Sequence, residues 1–296
     1  MIEYDIYYDE IKEDGYWHGI FFVPVCNNSY LMQCLDEAKK DYPFTCRLHF
    51  ANCGNNDPED SMRTLLTESY MSIGCASLQS QKFEKYPPKA KVGKSLKRIN
   101  PICAKFAAYR VSPEVMKSCC ENRNLMIIQT LKSALKSSLH YLFSGEEDVA
   151  INRIFFDGTE LQGIDDKKIL TNLKNQVRDH VKSLPDAFIT QSSDHNILGS
   201  NQSESDSCLL QLCDSMIGAV RFYVISNYKD SVRNKISKPI KGILEYTRES
   251  KIRMEQSRYF RGFSLSEAGA DGDDWKFTNL KIKEDILSGK QKSLFI

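Results

Sequence analysis

The sequence predicts an α/β fold in which a mixed β-sheet is flanked by helices. Short segments rich in Tyr, Ile, Phe and Val, typical of strands, alternate with longer segments whose apolar residues recur at helical spacing. The first two strand segments are close enough in sequence to form an antiparallel hairpin, whereas the later ones are separated by helices and need crossover connections. A chain of 296 residues, 41% hydrophobic and 27% charged, is long enough to bury a large core.

The first half of the chain contains the hairpin, followed by a region interpreted as an insertion at about 27–103. Gly15 marks the turn of the hairpin, and Asp57-Pro58-Glu59 is a typical start of a helix. The predicted elements are strands at 3–9 and 17–25, a helix at 30–40, a short strand at 44–50 and a helix near 58–72.

The second half alternates between strands and helices. Ser112 and Pro113 are typical of a helix start, and Gly145 and Pro185 of helix ends. The predicted elements are a strand at 105–111, a helix from 112 to 145, a strand at 151–156, a helix at 166–184, a strand at 187–190 and a helix at 207–226. This order is that of the RNase H-like fold, which predicts such a core over residues 1–226, although other α/β folds begin with a similar order. Residues 227–296 are predicted to form a basic, partly helical extension packed on that core.

Five acidic residues fall where strands end or where the last helix begins. Asp9 and Glu10 end the first strand, Asp157 ends the strand at 151–156, and Asp206 and Asp214 bracket the start of the last helix. Ligands bind at the carboxyl ends of strands in α/β sheets, and converging carboxylates repel one another unless cations lie between them. The pattern therefore predicts a site for two Mg²⁺ or Mn²⁺ ions, which in pairs promote phosphodiester hydrolysis.

Structural interpretations of the same residues remain open. An Asp after a strand is often a turn residue, and Asp206 is a candidate helix cap. A polar or small stripe runs along the last helix, and such a stripe is usually the solvent-exposed face. Its members are Ser207, Gln211, Asp214, Gly218 and Arg221. Gly218 favours a functional role, because it weakens a helix yet lets a backbone or ligand approach closely.

Four short segments resemble motifs of the domain-of-unknown-function 3800 family of RNase H-like proteins. They are Tyr7-Tyr8-Asp9-Glu10, similar to a YxDES opening; Ile154-Phe155-Phe156-Asp157, an apolar strand ending in Asp; Ser205 to Gly218, similar to Asp-Ser followed by LQxAD and a small residue; and Arg47-Leu48-His49-Phe50, similar to a strand end with His or Lys. The resemblance spans residues 4–226. It implies an RNase H-like fold and divalent-metal-dependent nuclease activity, often in mobile elements or defence against foreign nucleic acid.

The resemblance also implies roles for individual residues. Asp9, Asp157, Asp206 and Asp214 are expected to hold the two ions, and Glu10 is an auxiliary ligand; His49 and Gln211 are auxiliary candidates. Ile11 and Lys12 follow Glu10 where the family has Ser-Gly. This departure motivates the alternative of a catalytically inactive RNase H-like subunit that binds nucleic acid or protein.

The net charge of +1 conceals an uneven distribution of charge. Residues 81–98 and 229–261 each carry +6, which leaves −11 on the rest of the chain. Basic segments beside an acidic centre favour nucleic acid as a partner, because they attract phosphates. The expected nucleic-acid-binding residues are Lys82, Lys85, Lys89, Lys91, Lys94, Arg98 and Arg221.

The protein is expected to lie in the cytoplasm. A protein partner in a multi-component system is also expected. The N-terminal residues lack the basic and apolar regions of a signal peptide. A membrane span is not expected, because the most apolar stretch, 209–226, contains Gln211, Asp214 and Arg221. The sequence predicts neither an oligomeric state nor a choice between DNA and RNA.

Overall fold

A seven-stranded mixed sheet, flanked by helices, lies at the centre of the fold, which confirms the predicted α/β class. The structure is a computed structural model that describes residues 2–42, 48–54, 58–79, 87–119, 123–143, 149–157, 188–192, 201–225, 231–248, 261–271 and 274–279. Its strands are β1 (Ile2–Ile11), β2 (Tyr16–Pro24), β3 (Lys89–Val92), β4 (Ser95–Arg98), β5 (Lys105–Val111), β6 (Val149–Asp157), β7 (Phe188–Ser192), β8 (Phe263–Asp271) and β9 (Asp274–Asn279). Its helices are α1 (Val25–Asp41), α2 (Pro58–Ser77), α3 (Pro113–Cys119), α4 (Arg123–Phe143), α5 (Asn201–Ile225) and α6 (Ser231–Arg248).

The strand order in the sheet is β7-β6-β1-β2-β5-β8-β9. Strands β1, β2 and β5 form an antiparallel meander, with Asp9 opposite Gly19 in the β1–β2 pair. On the other side of β1, strands β6 and β7 run parallel to it. Strand β8 is parallel to β5, and β9 is antiparallel to β8. Strands β3 and β4 form a separate two-stranded ribbon.

Helices cover both faces of the sheet and enclose two apolar clusters. The larger cluster joins Tyr7, Trp17 and Phe21 to residues of α1, α2, α5 and α6, and the smaller one joins Tyr8 and Phe22 to residues of α4. Side chains alternate between the faces of a strand, so Asp9 shares the face of Tyr7, and Glu10 shares that of Tyr8.

Most predicted elements are confirmed, but several boundaries differ. Helix α1 begins directly after Pro24. The helix predicted from 112 to 145 corresponds to α3 and α4, and residues 120–122 between them lie outside the described part. Helix α5 begins six residues earlier than predicted. The predicted strand at 44–50 falls partly on residues outside the described part, and its last residue begins a 3₁₀ turn, Phe50–Asn52. The helix predicted at 166–184 lies entirely outside the described residues.

The C-terminal extension contributes to the sheet itself, which the sequence did not predict. Helix α6 packs on α2 and α5, and β8 and β9 then extend the sheet beyond β5. Phe263 and Leu265 of β8 are buried, and so are the two serines next to them, Ser264 and Ser266. Because β8 is rich in Ser, Gly and Ala, it lacks the composition by which the other strands were predicted.

Helix α5 contains a stretch, Ser207–Ile225, that is long and apolar enough to cross a membrane. Its mean hydropathy is 1.5, and 89% of it is buried in the fold. In this fold the helix packs on β1 and β2.

His18 lies fully buried on the α4 face of the sheet, among the rings of Tyr8, Tyr16 and Tyr109. The Tyr8 hydroxyl is 2.8 Å from Nδ1 of His18 and donates to Glu10. Because one hydroxyl has one proton to donate, Nδ1 of His18 donates to Tyr8. Burial lowers the pKa of His18 to about 3, so the ring is neutral in the folded protein.

We predict that His18 makes the protein acid-sensitive. Between pH 6.5 and 3 the unfolded chain binds a proton at His18 that the folded chain does not, so the free energy of unfolding falls as the pH falls. This contribution is up to about 1.4 kcal/mol per pH unit and should be absent in His18→Gln. Urea unfolding from pH 6 to pH 4 measures it, with exposed His140→Gln as control. Equal pH slopes for wild type and His18→Gln would contradict the prediction.

Candidate functional site

A cleft of about 670 Å³ opens at the end of the sheet where β1 ends. Its walls are the β1–β2 turn, residues 49–51, helix α5 and the first turns of α6. Glu10, His49, Asp214 and Arg221 are among its lining residues, so the cleft contains three of the predicted auxiliary or binding residues and one predicted metal ligand.

Asp9 and Asp214 come from different elements to the same face of the sheet. Asp9 is buried and accepts a hydrogen bond from the backbone of Glu10. Helix α5 crosses the opposing residue, Gly19, so closely that an added Cβ would lie 2.9 Å from Cβ of Ile217. The pKa of the buried Cys213 thiol is raised, first by burial and then by the charges of Asp9 and Asp214. Sγ of Cys213 donates to the carbonyl of Tyr7 at 3.3 Å and would lie 3.3 Å from a Cβ at Gly19. Asp214, the next residue on α5, therefore lies on the same side of the sheet as Asp9, near the end of β1.

Asp157 occupies the register position beside Asp9. Tyr8 and Phe156 are the last paired residues of the parallel strands β1 and β6, and Asp9 and Asp157 each come next. The topology thus brings these two backbones together, as the sequence predicted from their places at strand ends. The side chain of Asp157 is outside the described part of the structure.

Asp206 and Glu10 are placed differently from the other predicted ligands. Asp206 lies within α5, not at its cap, and precedes Asp214 by eight residues, or about 12 Å of helical rise. Its side chain is outside the described part. Glu10 faces α4, on the opposite side of the sheet from Asp9. Its carboxylate accepts hydrogen bonds from the hydroxyls of Tyr8 and Tyr16 and pairs with Lys12 at 2.6 Å.

Four residues of the polar stripe of α5 are buried and Arg221 is half-buried, so the interpretation of the stripe as the solvent-exposed face is wrong. Gln211 accepts a hydrogen bond from the backbone N–H of Leu48 at 3.1 Å, and Asp214 accepts one from Phe50 at 2.9 Å. At Gly218, an added Cβ would lie 2.7 Å from Cβ of Phe50. The stripe therefore holds residues 48–50 against the helix, and Gly218 leaves room for the side chain of Phe50.

This attachment brings His49 to the carboxylate of Asp214. Nδ1 of His49 is 3.3 Å from Oδ1 of Asp214, and 36% of the His49 side chain is exposed in the cleft. Asp214 thus meets a backbone N–H on one oxygen and an imidazole on the other.

Two arginine side chains line the cleft together with Asp214. Arg221 pairs with Glu13 at 2.7 Å and with Asp14 at 2.6 Å, in the β1–β2 turn. Arg233 donates to the carbonyl of Ala51 at 2.7 Å. Arg233 was not among the predicted binding residues, although it lies in the second basic segment. Only its place in the first turn of α6 sets it apart from the other basic residues of that segment.

The other predicted nucleic-acid-binding residues lie on the β3–β4 ribbon or outside the described residues. Lys89, Lys94 and Arg98 are exposed, and Lys91 pairs with Glu68 at 2.8 Å. Lys82 and Lys85 fall within 80–86, outside the described part.

The described side chains include no group of three or more His, Cys, Asp or Glu arranged to hold a metal ion. Of the four predicted ligands, the side chains of Asp9 and Asp214 are described. Hard carboxylate oxygens of this kind fit Mg²⁺ and Mn²⁺. Comparisons with family models, curated proteins and solved structures give no match for this chain.

We predict that Gly218→Ala destabilises the protein by about 1–3 kcal/mol, because the added methyl group displaces Phe50 and weakens the hydrogen bond to Asp214. Gly242→Ala in α6 is the matched control, since nothing lies within 4 Å of its added Cβ. That substitution should stabilise the helix by up to about 1 kcal/mol. Urea unfolding compares the two. A Gly218→Ala protein as stable as the Gly242→Ala protein would show that residues 48–50 do not depend on Gly218.

Proposed function

We propose that the protein is a divalent-metal-dependent nuclease with an RNase H-like core. The observation that carries this proposal is the contact of α5 with the end of β1: Cys213, which precedes Asp214, touches the carbonyl of Tyr7, two residues before Asp9, and Asp157 occupies the neighbouring register position. Three carboxylate-bearing residues from three separate elements at one end of a sheet are what a metal-dependent phosphodiesterase requires.

The strand arrangement supports the RNase H-like part of the proposal. Strands β1, β2 and β5 form an antiparallel meander, and β6 and β7 run parallel to β1 on its other side. An RNase H-like sheet has this order and these directions. The motifs around Asp9, Asp157 and Asp214 support it independently, because the family resemblance places acidic residues at these positions.

In the proposed reaction Asp9, Asp157 and Asp214 hold the cations. Bound Mg²⁺ or Mn²⁺ stabilises charge on the phosphate and lowers the pKa of a bound water. We assign no ligand role to Asp206, which precedes Asp214 by two turns of α5, or to Glu10, which faces α4.

The remaining groups of the cleft bind and orient the substrate. The backbone N–H of Phe50 fixes the orientation of the Asp214 carboxylate through Oδ2. When its ring is protonated, His49 can donate through Nδ1 to Oδ1 of Asp214 and through Nε2 to a phosphate oxygen in the cleft. Arg233, whose guanidinium donates to the neutral carbonyl of Ala51, raises the local positive potential and attracts the phosphodiester backbone, whereas Glu13 and Asp14 offset the charge of Arg221.

We predict that the protein cleaves DNA or RNA in Mg²⁺ or Mn²⁺ and is inactive in EDTA. Asp9→Asn and Asp214→Asn should each lower the cleavage rate by at least about 100-fold, because each removes a charged ligand. Exposed Asp36→Asn, on α1, is the control and should cleave like wild type. Gel assays with labelled single- and double-stranded DNA and RNA measure the rates. Full activity of Asp214→Asn would overturn the site assignment.

A second candidate function is a catalytically inactive subunit that binds nucleic acid. The observation in its favour is that both carboxylate oxygens of Asp214 already have protein partners, Phe50 and His49. Calorimetry with Mg²⁺ and Mn²⁺ distinguishes the two candidates. Retained nucleic-acid binding without metal binding at millimolar concentration would favour the inactive subunit, whereas metal binding lost in Asp9→Asn would favour the nuclease.

A further inference from the structure

We infer that the β3–β4 ribbon, helix α2 and helix α6 form one cationic track that guides a nucleic-acid strand to the cleft. This inference rests on the proposed nuclease function and adds to it the path of the substrate. All residues assigned to this track lie in the described part of the structure.

The outer face of the ribbon carries positive charges that have no partner across the strands. Lys89 lies directly opposite Arg98, and Lys91 lies opposite Leu96, so these four side chains share one face. The other face is held down by Ala90, which is buried. Like charges directly opposite each other destabilise a ribbon unless an anion lies between or above them. A phosphate at Lys89 and Arg98 removes that repulsion.

The ribbon is joined to α6 through a single carboxylate. Oε2 of Glu68, on α2, lies 2.8 Å from Nζ of Lys91 and 3.4 Å from Nζ of Lys235. The two basic segments, far apart in sequence, therefore meet on α2. Because one carboxylate faces two ammonium groups, a positive charge remains uncompensated there.

Helices α2 and α6 also contact residues 51–52, next to the cleft. On α2, Arg63 donates to the carbonyl of Asn52 at 3.3 Å, and on α6, Arg233 donates to that of Ala51. At the far end, the hydroxyl of Ser72 accepts the backbone N–H of Lys91. Nine residues of helix separate Arg63 from Ser72, about 14 Å, which corresponds to about four nucleotides of one strand in a duplex.

The ligand class that fits is a phosphodiester backbone. Cations repeat along the track, and the track ends at a cleft whose carboxylates would repel an acidic protein but suit a metal-bound phosphate. Leu96, 67% exposed beside these cations, offers an apolar contact to a sugar or base. DNA and RNA share the phosphate chemistry.

We predict that the double variant Lys89→Gln/Arg98→Gln binds nucleic acid more weakly than wild type and that its Kd depends less on salt. The same is expected of the separate variant Lys235→Gln. Each lost phosphate contact should reduce the slope of log Kd against log salt by about 0.9 for a duplex, so by about 2 for the double variant. The matched control is Lys132→Gln/Lys136→Gln on α4, which covers the opposite face of the sheet. Fluorescence anisotropy in EDTA, with labelled DNA and RNA, single- and double-stranded, gives Kd between 50 and 200 mM KCl.

The substituted side chains in the track are exposed or half-exposed, and thermal unfolding verifies that the variants remain folded. A slope equal to that of the control variant, or equally tight binding to poly-glutamate, overturns the track. Cleavage is measured in parallel with Mg²⁺. If the track variants bind nucleic acid more weakly but the wild type cleaves nothing, the track is supported and the nuclease proposal is contradicted. If the wild type cleaves nucleic acid but the track variants bind it as tightly as wild type, the nuclease is supported and the track is contradicted.

Discussion

Gly19 allows helix α5 to lie directly on the β1–β2 hairpin, and the geometry of the cleft depends on that contact. A side chain at Gly19 would collide with Ile217, so only glycine lets the helix approach the strand next to Asp9. This approach brings Asp214 near Asp9 across Cys213. It also lets Arg221, two turns further along the helix, reach the acidic β1–β2 turn. The positions of Asp214 and Arg221 relative to Asp9 thus depend on one packing contact.

The carboxylate of Asp214 has two roles, which constrain each other. It binds the backbone of Phe50, a charge-assisted hydrogen bond of the stronger kind, and it faces His49. Residues 48–50 are held by Gln211 as well, so this attachment does not depend on Asp214 alone. A cation at Oδ1 is compatible with the hydrogen bond at Oδ2 but competes with His49 for its place. The anchoring of residues 48–50 and the proposed metal site are therefore coupled.

Much of the fold could be predicted from the sequence, because β1, β2, β5 and β6 have strong apolar patterns. Strand β8 could not, since its burial depends on pairing with β5 rather than on its own composition. The positions of Asp9 and Asp157 beside each other followed from their places at strand ends. The opposite orientation of Glu10, the docking of residues 48–50 on α5, and the meeting of two basic segments at Glu68 required tertiary structure. No local pattern encodes which partner a buried polar group finds.

The near-neutral net charge now has a structural explanation: acidic residues concentrate near the sheet end, and two basic segments meet on α2 beside it. We propose that Asp9, Asp157 and Asp214 hold divalent cations at that end. The decisive measurement is anomalous scattering from a crystal grown with Mn²⁺. We expect manganese bound by the carboxylates of Asp9 and Asp214. Manganese that is absent from these residues, or bound only elsewhere, would contradict it.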